Sequence, residues 1–431
     1  MKKNESDDSA AFETATYAKV TRHIMPILFL CYMASYLDRV NVGFAKLQML
    51  TDLNFSDTVY GLGAGIFFIG YFLFEIPSNI ILHKVGARIW IARIMLTWGL
   101  ISAAMVFVNS PFLFYLLRFL LGAAEAGFFP GVILYLTYWY PAHRRGKITA
   151  IFMTAVALSG VVGGPLSGWI MQGMDGVANL SGWQWMFLIE AIPSIGLGVL
   201  VFGHLQDRII DTPWLNDEEK ALLATHIHLE ELDKPELRLA QALTHPRLWQ
   251  MALIYFSFIM GLYGISFWLP TIIKSTGVTD TLQIGLLSAI PYAIGGIGMI
   301  LIGRSADRHR ERRWHVIIPA MFGCAGLLLS TRYGHNTLLS MVSLTVATLG
   351  ILTTLPLFWS LPTAFLTGTA AAAGIALINS FGNLAGFASP YLVGWLKDST
   401  HSTDAGMVMM AVSMLVGAFL TWMVPRAMVN K

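Results

Sequence analysis

Charge is scarce in this chain: only 12% of its 431 residues are Asp, Glu, Lys or Arg, where a soluble domain carries about 25%. With 55% hydrophobic residues and a mean hydropathy of +0.62, this shortage excludes a water-soluble globular protein and points to one embedded in a bilayer. Cysteine is scarcer still. Cys31 and Cys324 both sit in apolar stretches, so neither a disulfide framework nor a cysteine metal site is expected. A net charge of +3 is too small to imply nucleic acid as a partner. The spans hold no HExxH zinc motif and no GxSxG nucleophile turn, so we expect no catalytic residue, metal or cofactor, and no enzyme. The first 22 residues carry Glu5, Asp7, Asp8 and Glu13 and lack a short apolar core followed by a cleavage site; they read as a cytoplasmic tail.

What is present is a series of long apolar runs. Stretches of about 20 residues, long enough to span a bilayer as helices, fall at 24–45, 60–82, 89–108, 111–138, 148–173 and 184–204. Six more follow at 249–272, 282–303, 315–331, 337–361, 370–396 and 405–424. The expected organisation is a tail (1–22), a first six-helix bundle (23–204), a charged cytoplasmic linker (205–248), a second bundle (249–425) and a short tail (426–431). If both termini are cytoplasmic, 21 of the 28 basic residues lie inside and four outside (Lys46, Lys274, Arg332, Lys397), with Arg39, Arg93 and Arg118 within spans. That bias orients the chain N-in and C-in.

The halves read as repeats. SGVVGGPLSGW in the fifth span matches AGFASPYLVGW in the eleventh, pairing Pro165 with Pro390 and Trp169 with Trp395, at offsets of 225 and 226. The basic loop after the second span sets His83 opposite Asp307, an offset of 224. A steady offset across different spans argues for duplication, with a site at the repeat interface. In the linker, Asn216 is placed to cap a helix with Glu219 reaching back. His226 and His228, two residues apart, point to different faces and are read as solvated rather than metal-binding.

The few charges inside spans are then the candidate functional residues, because each would cost roughly 2.5–3.5 kcal/mol at the centre of an isolated transmembrane helix. Asp38 and Arg39 lie in the first span; Arg118 and Glu125, seven residues apart in the fourth, share a helix face about 10 Å apart along the axis. Arg118 is the first candidate to grip a carboxylate in two-pronged fashion, with Arg39 the second. Glu125, flanked by Gly122, Ala123, Ala124, Ala126 and Gly127, is the candidate proton carrier, since desolvation and a nearby arginine pull its ionisation in opposite directions. Asp38 is either a partner for Arg39 or a second proton site. Glu75 reads as a gate or cross-bundle contact, Glu190 as a structural hydrogen-bonding acid, and Arg93 as a snorkelling residue. Gly160, Gly164 and Gly168 read as close helix packing.

At YLDRVNVGFAK, FFIGYFLFEIPSN, RFLLGAAEAGFFPGVILYLTYWYP and GRSADRHRERR the chain resembles the anion:cation symporter family of the major facilitator superfamily. The resemblance implies an all-α integral membrane fold of twelve transmembrane helices in two pseudo-symmetric six-helix bundles. It also implies proton-coupled import of a small organic carboxylate by alternating access, with H+ as coupling ion, in a bacterial inner membrane and by a monomer. Tyr71, Tyr263 and Trp359 read as aromatic walls of the substrate cavity, and Asn379 and Asn383, one turn apart, as hydrogen-bond donors to the substrate; the resemblance strengthens Tyr71, Trp359 and Asn379. It further implies a latch at Asp307–Arg308, whose counterpart in the first half is replaced by His83 and Lys84. The fifth span offers only Thr154 and Ser159 where sugar-acid carriers have an amide. Two alternatives stay open: a uniporter or exchanger of the same fold without net proton coupling, and a transporter-like nutrient sensor.

Overall fold

The computed structural model describes residues 2–232, 246–363 and 368–426; parts of the expected linker (233–245) and of the C-terminal tail (427–431) lie outside the described residues. Apolar runs too long for a soluble core become helices, since only a helix satisfies its own backbone in lipid. The first half contains α1 (Lys2–Val40), α2 (Val42–Leu53), α3 (Asp57–Val85), α4 (Ala87–Ala104), α5 (Pro111–Glu125), α6 (Phe128–Thr137), α7 (Ala142–Met153), α8 (Ala155–Gly173) and α9 (Gly182–His204). After the linker helix α10 (Asp217–Leu232) come α11 (Pro246–Ser275), α12 (Thr281–His309), α13 (Arg313–Arg332), α14 (Thr337–Thr363), α15 (Gly368–Thr400) and α16 (Asp404–Trp422). Among the described residues, eleven helical stretches are long and apolar enough to cross a bilayer; the 33-residue α15 takes the twelfth place.

Three expected spans are each divided between two α-helices: 24–45 between α1 and α2, 148–173 between α7 and α8, and 111–138 between α5 and α6. The 111–138 run breaks between α5 and α6 immediately after Glu125, where Gly127 adopts φ +86°. A Cβ at Gly127 would come within 2.3 Å of Ser78 Oγ on α3. The break is therefore set by how closely α3 approaches.

The duplication read from the sequence reappears as contacts. A Cβ on Gly168 of α8 would meet the Thr281 carbonyl oxygen of α12 at 2.6 Å, and one on Gly394 of α15 would meet that of Asp57 on α3 at 2.3 Å. Gly285 faces the Gly164 carbonyl as Gly61 faces that of Pro390, and Gly160 packs under Tyr292 as Gly386 packs under Phe68. These three pairs of contacts differ by constant offsets of 226 along α8 and α15 and 224 along α12 and α3. The α8–α12 and α3–α15 seams are thus the same joint built twice, and they hold the two bundles together.

The bundle has a terminal face, where α1 starts and α16 ends, and an opposite, far face. At the terminal face α10 docks on α1 at Tyr17 and Lys19. Asn216 and Glu219 form the expected reciprocal cap, at 2.7 and 2.8 Å. Glu219 then takes Lys19 at 2.8 Å. His226 is engaged rather than solvated: its Nδ1 meets the Tyr17 hydroxyl at 3.0 Å.

The far face is closed by charge and aromatics. Lys46 of α2, expected in an exterior loop, is only 4% exposed. Its Nζ lies 3.3 Å from the Trp268 ring centroid on α11 and 2.6 Å from Asp57. Asp57 also takes Lys397 of α15 at 3.0 Å. Asp398 of α15 accepts the backbone N–H groups of Asp57 and Thr58, at 3.1 and 2.7 Å, and so caps α3 from the other bundle.

If the glycine seams limit this closure, adding one methyl group on either copy should loosen it equally. The Cβ of Gly61→Ala would meet Pro390 O at 2.4 Å and that of Gly285→Ala would meet Gly164 O at 2.3 Å. Overpacking of this kind costs about 1–3 kcal/mol. Spin labels at Thr51 and Ser275 should report longer far-face distances in both variants; unchanged distances would contradict the seams as the limiting contacts.

Candidate functional site

A buried guanidinium lies where the two bundles meet. Arg39 of α1, 7% exposed, donates through Nη2 to Glu125 Oε1 at the end of α5 and through Nη1 to the Tyr263 hydroxyl of α11 at 2.8 Å. Glu125 also accepts Ser35 Oγ at 2.6 Å. Three rings flank the cation, with the Phe67, Tyr71 and Tyr36 centroids at 5.4, 5.6 and 6.0 Å from Arg39 Cζ. Ser35 and Arg39 are one turn apart on α1, which is why both reach the same carboxylate.

Arg118 is placed differently from the expectation. It shares a helix with Glu125 but does not pair with it. Close contact between α5 and α3, where a Cβ on Gly122 would fall 1.8 Å from Phe67 O, turns the Arg118 side chain onto backbone carbonyls. Nε donates to Gly63 O at 3.2 Å, and Nη2 to Ala64 O and Arg39 O at 3.3 and 3.4 Å. Arg118 is fully buried and its Nη1 has no hydrogen-bond partner among the described residues. Its guanidinium thus props α3 against the backbone of Arg39, and one donor is left over.

Asp38 is not the partner of Arg39. One residue along α1 turns it through 100°, into the first bundle, where its carboxylate accepts Trp98 Nε1 (2.9 Å), Ser102 Oγ (3.2 Å) and Ser194 Oγ (2.5 Å). Glu75 of α3 bridges to α15, accepting Asn379 Nδ2 at 3.1 Å and Ser380 Oγ at 3.5 Å, with Asn383 also hydrogen-bonded to it. Asn379 and Asn383 are therefore engaged by an acid across the bundle interface. Trp359 of α14 packs on Tyr255 with ring centroids 4.9 Å apart. Among the described residues Asp307 and Arg308 form no cross-bundle latch: both are exposed, and Asp307 pairs with Arg312 of its own half at 2.6 Å. The short basic loop simply bends back on itself. Arg93 stacks on Trp90 at 3.8 Å.

One contributor escaped the sequence reading: Ser35, an ordinary helix serine. Tyr263 was only the weakest of the cavity aromatics, and the helix crossing alone brings it to Arg39. The usable signal was the spacing of Ser35 and Arg39, i and i+4.

The model of the major facilitator superfamily matches residues 28–390. The chain belongs to that superfamily. Among curated relatives, it is 48% identical to a candidate metabolite transport protein, NicT, of Pseudomonas putida, over 97% of this chain and 96% of that one. It is also 48% identical to a candidate tartrate transporter of Agrobacterium vitis, over 96% and 95%. A solved D-xylose-proton symporter superposes with a TM-score of 0.73 over 94% of this chain and 98% of its own, at 18% identity, a likeness of fold. In this major facilitator the central ion pair joins α1 to α5 while α11 touches the same cation from the second bundle.

Breaking one half of a buried pair leaves the other charge uncompensated, at about 3–5 kcal/mol. Arg39→Leu should therefore lower unfolding stability in detergent by roughly that amount, while Arg39→Leu with Glu125→Leu should recover most of it. Equal losses in the single and double variants would contradict a coupled buried pair.

Proposed function

We propose that this protein imports a small organic carboxylate together with protons across a bacterial inner membrane, by alternating access and with its terminal face cytoplasmic. The supporting observation is the single guanidinium of Arg39, neutralised by Glu125 and touched by Tyr263 from the opposite bundle. A substrate carboxylate and the Glu125 carboxylate compete for the same donors. Protonating Glu125 removes its hold and frees Nη2 for an anion; a bound anion in turn favours the protonated acid, since linkage is reciprocal. Loading a proton and loading an anion thus become one event.

Among the described residues, no charged side chain of the second bundle hydrogen-bonds to or pairs with Arg39. That bundle's part is Tyr263, which follows Arg39 only while the bundles are apposed. An anion on Arg39 can take the Tyr263 hydroxyl as a second donor and so draw α11 toward α1. Tyr71, Trp359, Asn379 and Asn383 are then neutral wall residues for the remainder of the substrate, with Glu75 a bundle-to-bundle tie that must release for the seam to open. A relative named for tartrate transport agrees with an organic acid, and the basic bias of the terminal-face loops agrees with the orientation. Arg39, rather than Arg118, is the anchor on this reading.

The test separates binding from coupling. Glu125→Gln holds the acid permanently in its neutral form, so proteoliposomes should still exchange substrate by counterflow. Under an imposed pH gradient they should concentrate it well below the wild-type level. Normal gradient-driven accumulation in Glu125→Gln would contradict the coupling role, and no uptake of any carboxylate by the wild-type protein would contradict the function.

A further inference from the structure

A second buried acid stands apart from the central pair. Glu190 of α9 is 1% exposed, and its hydrogen bonds come from neutral groups: Ser167 Oγ of α8 donates to Oε1 at 2.6 Å, and Asn41 Nδ2 to Oε2 at 3.0 Å. The charged groups on the packed elements do not neutralise it. Lys46 of α2 is held by Asp57 and Trp268, Arg93 of α4 by Trp90, and Arg39 by Glu125. Asp52 accepts Ser181 and Trp183 near the start of α9. The remaining facing group is another acid, Asp38, whose carboxylate takes Ser194, one turn along α9 from Glu190. An ionisable group at membrane depth without a counter-charge is retained for use more often than for stability.

Both donors to Glu190 also line a small cleft. Asn41, Ser159 and Ser167 form its wall on the first bundle, and Ser266, Ser288 and Tyr292 its wall on the second. Asn41 Oδ1, 2% exposed as a residue, has no hydrogen-bond partner among the described residues. The cleft lies on the α8–α12 seam, beside the Gly164–Gly285 contact. Separation of that seam at the far face would open it to the outside; closure seals it. The wall continues inward as a run of hydroxyls, with Tyr292 donating to Ser266 at 3.1 Å and Ser266 lying 2.9 Å from Tyr36.

We propose that Glu190 is a second proton-binding carboxyl, loaded from the far side through the cleft that its two hydrogen-bond donors line, and that it hands its proton to Asp38. With the seam open, a hydronium ion gives its proton to a Glu190 carboxylate oxygen and leaves as water. With the seam closed, the Glu190 carboxyl turns to Ser194; its O–H bond breaks as the Ser194 oxygen takes that proton and the Ser194 hydroxyl gives its own to Asp38 Oδ2, which it already donates to, leaving Glu190 ionised. Glu125 carries the anion-linked proton; Glu190 and Asp38 carry the other. The inference rests on the proposed proton-coupled import and adds a second proton to it.

Glu190→Gln keeps an acceptor for Ser167 and polar partners for Asn41, so a purely structural role predicts no change in coupling. In proteoliposomes with the membrane potential clamped at zero, each proton carried multiplies accumulation about tenfold per pH unit of gradient. Wild type should reach about 100-fold at one pH unit, and Glu190→Gln about 10-fold with counterflow intact. An unchanged wild-type ratio in the variant, or complete loss of accumulation with counterflow intact, would overturn the assignment of a second proton. Infrared difference spectra between high and low pH give an independent reading on purified protein. A protonated-carboxyl band absent from Glu190→Gln supports titration of Glu190, and an unchanged spectrum overturns it. Should Glu190→Gln fail to fold, Glu190→Asp serves in its place, with a shifted band expected. If wild type accumulates no carboxylate, the import reading fails, and the spectra still decide whether Glu190 titrates.

Discussion

The structure turns on one buried cation with two acceptors on two different elements. Arg39 meets Glu125 at the end of α5 and Tyr263 on α11, so the same guanidinium ties the first bundle internally and touches the second. Around it the local backbone is arranged for close approach. Gly122 and Gly70 let α3 and α5 come together, Arg118 fills the seam with hydrogen bonds to α3 carbonyls, and the helix stops directly after Glu125. An uncompensated charge here would be costly, and a compensated one is exchangeable. On the proposed reading, that exchange is what couples anion to proton.

The bundles themselves meet through repeated glycine contacts rather than through charge. Gly168 and Gly394, Gly164 with Gly285, and Gly61 with Pro390 bring backbone against backbone, a geometry that tolerates no added side chain and therefore separates or closes as a whole. Electrostatics is concentrated at the far end, where Lys46, Asp57, Lys397 and Asp398 join α2 and α3 to α15 beneath Trp268. A seam of small residues with a charged clasp at one end suits two bodies that must part and rejoin. Glu190 and its cleft lie along the α8–α12 seam, the twin of the α3–α15 seam that the clasp closes.

Much of this was legible in the sequence, for physical reasons. Twelve apolar runs cannot hide in a chain with 12% charge, and the Gly-Pro-Trp pattern of the fifth and eleventh spans carried an offset that survives as matched contacts. Asp38, Arg39, Arg118 and Glu125 stood out because charge at membrane depth is rare. Their pairing was not legible. Periodicity places Arg118 and Glu125 on one face of a helix but says nothing of the neighbour that face meets, and α3 claims Arg118 through its carbonyls. Asp38 and Arg39 are adjacent in sequence and face different helices. The break at Ala126–Gly127 depends on Ser78, 49 residues away, and Tyr263 on a crossing with the other half. Asp307 and Arg308, read as a latch, are exposed, and Asp307 pairs within its own half.

The central claim is that Glu125 and the substrate share Arg39, so that anion binding draws in a proton. Calorimetric titration of the purified protein with a carboxylate substrate, repeated in buffers of differing ionisation enthalpy, counts protons taken up on binding. The wild-type protein should take up protons with the anion, and Glu125→Gln should bind the same anion with that uptake lost. Binding with identical proton uptake in the two proteins would contradict the shared guanidinium.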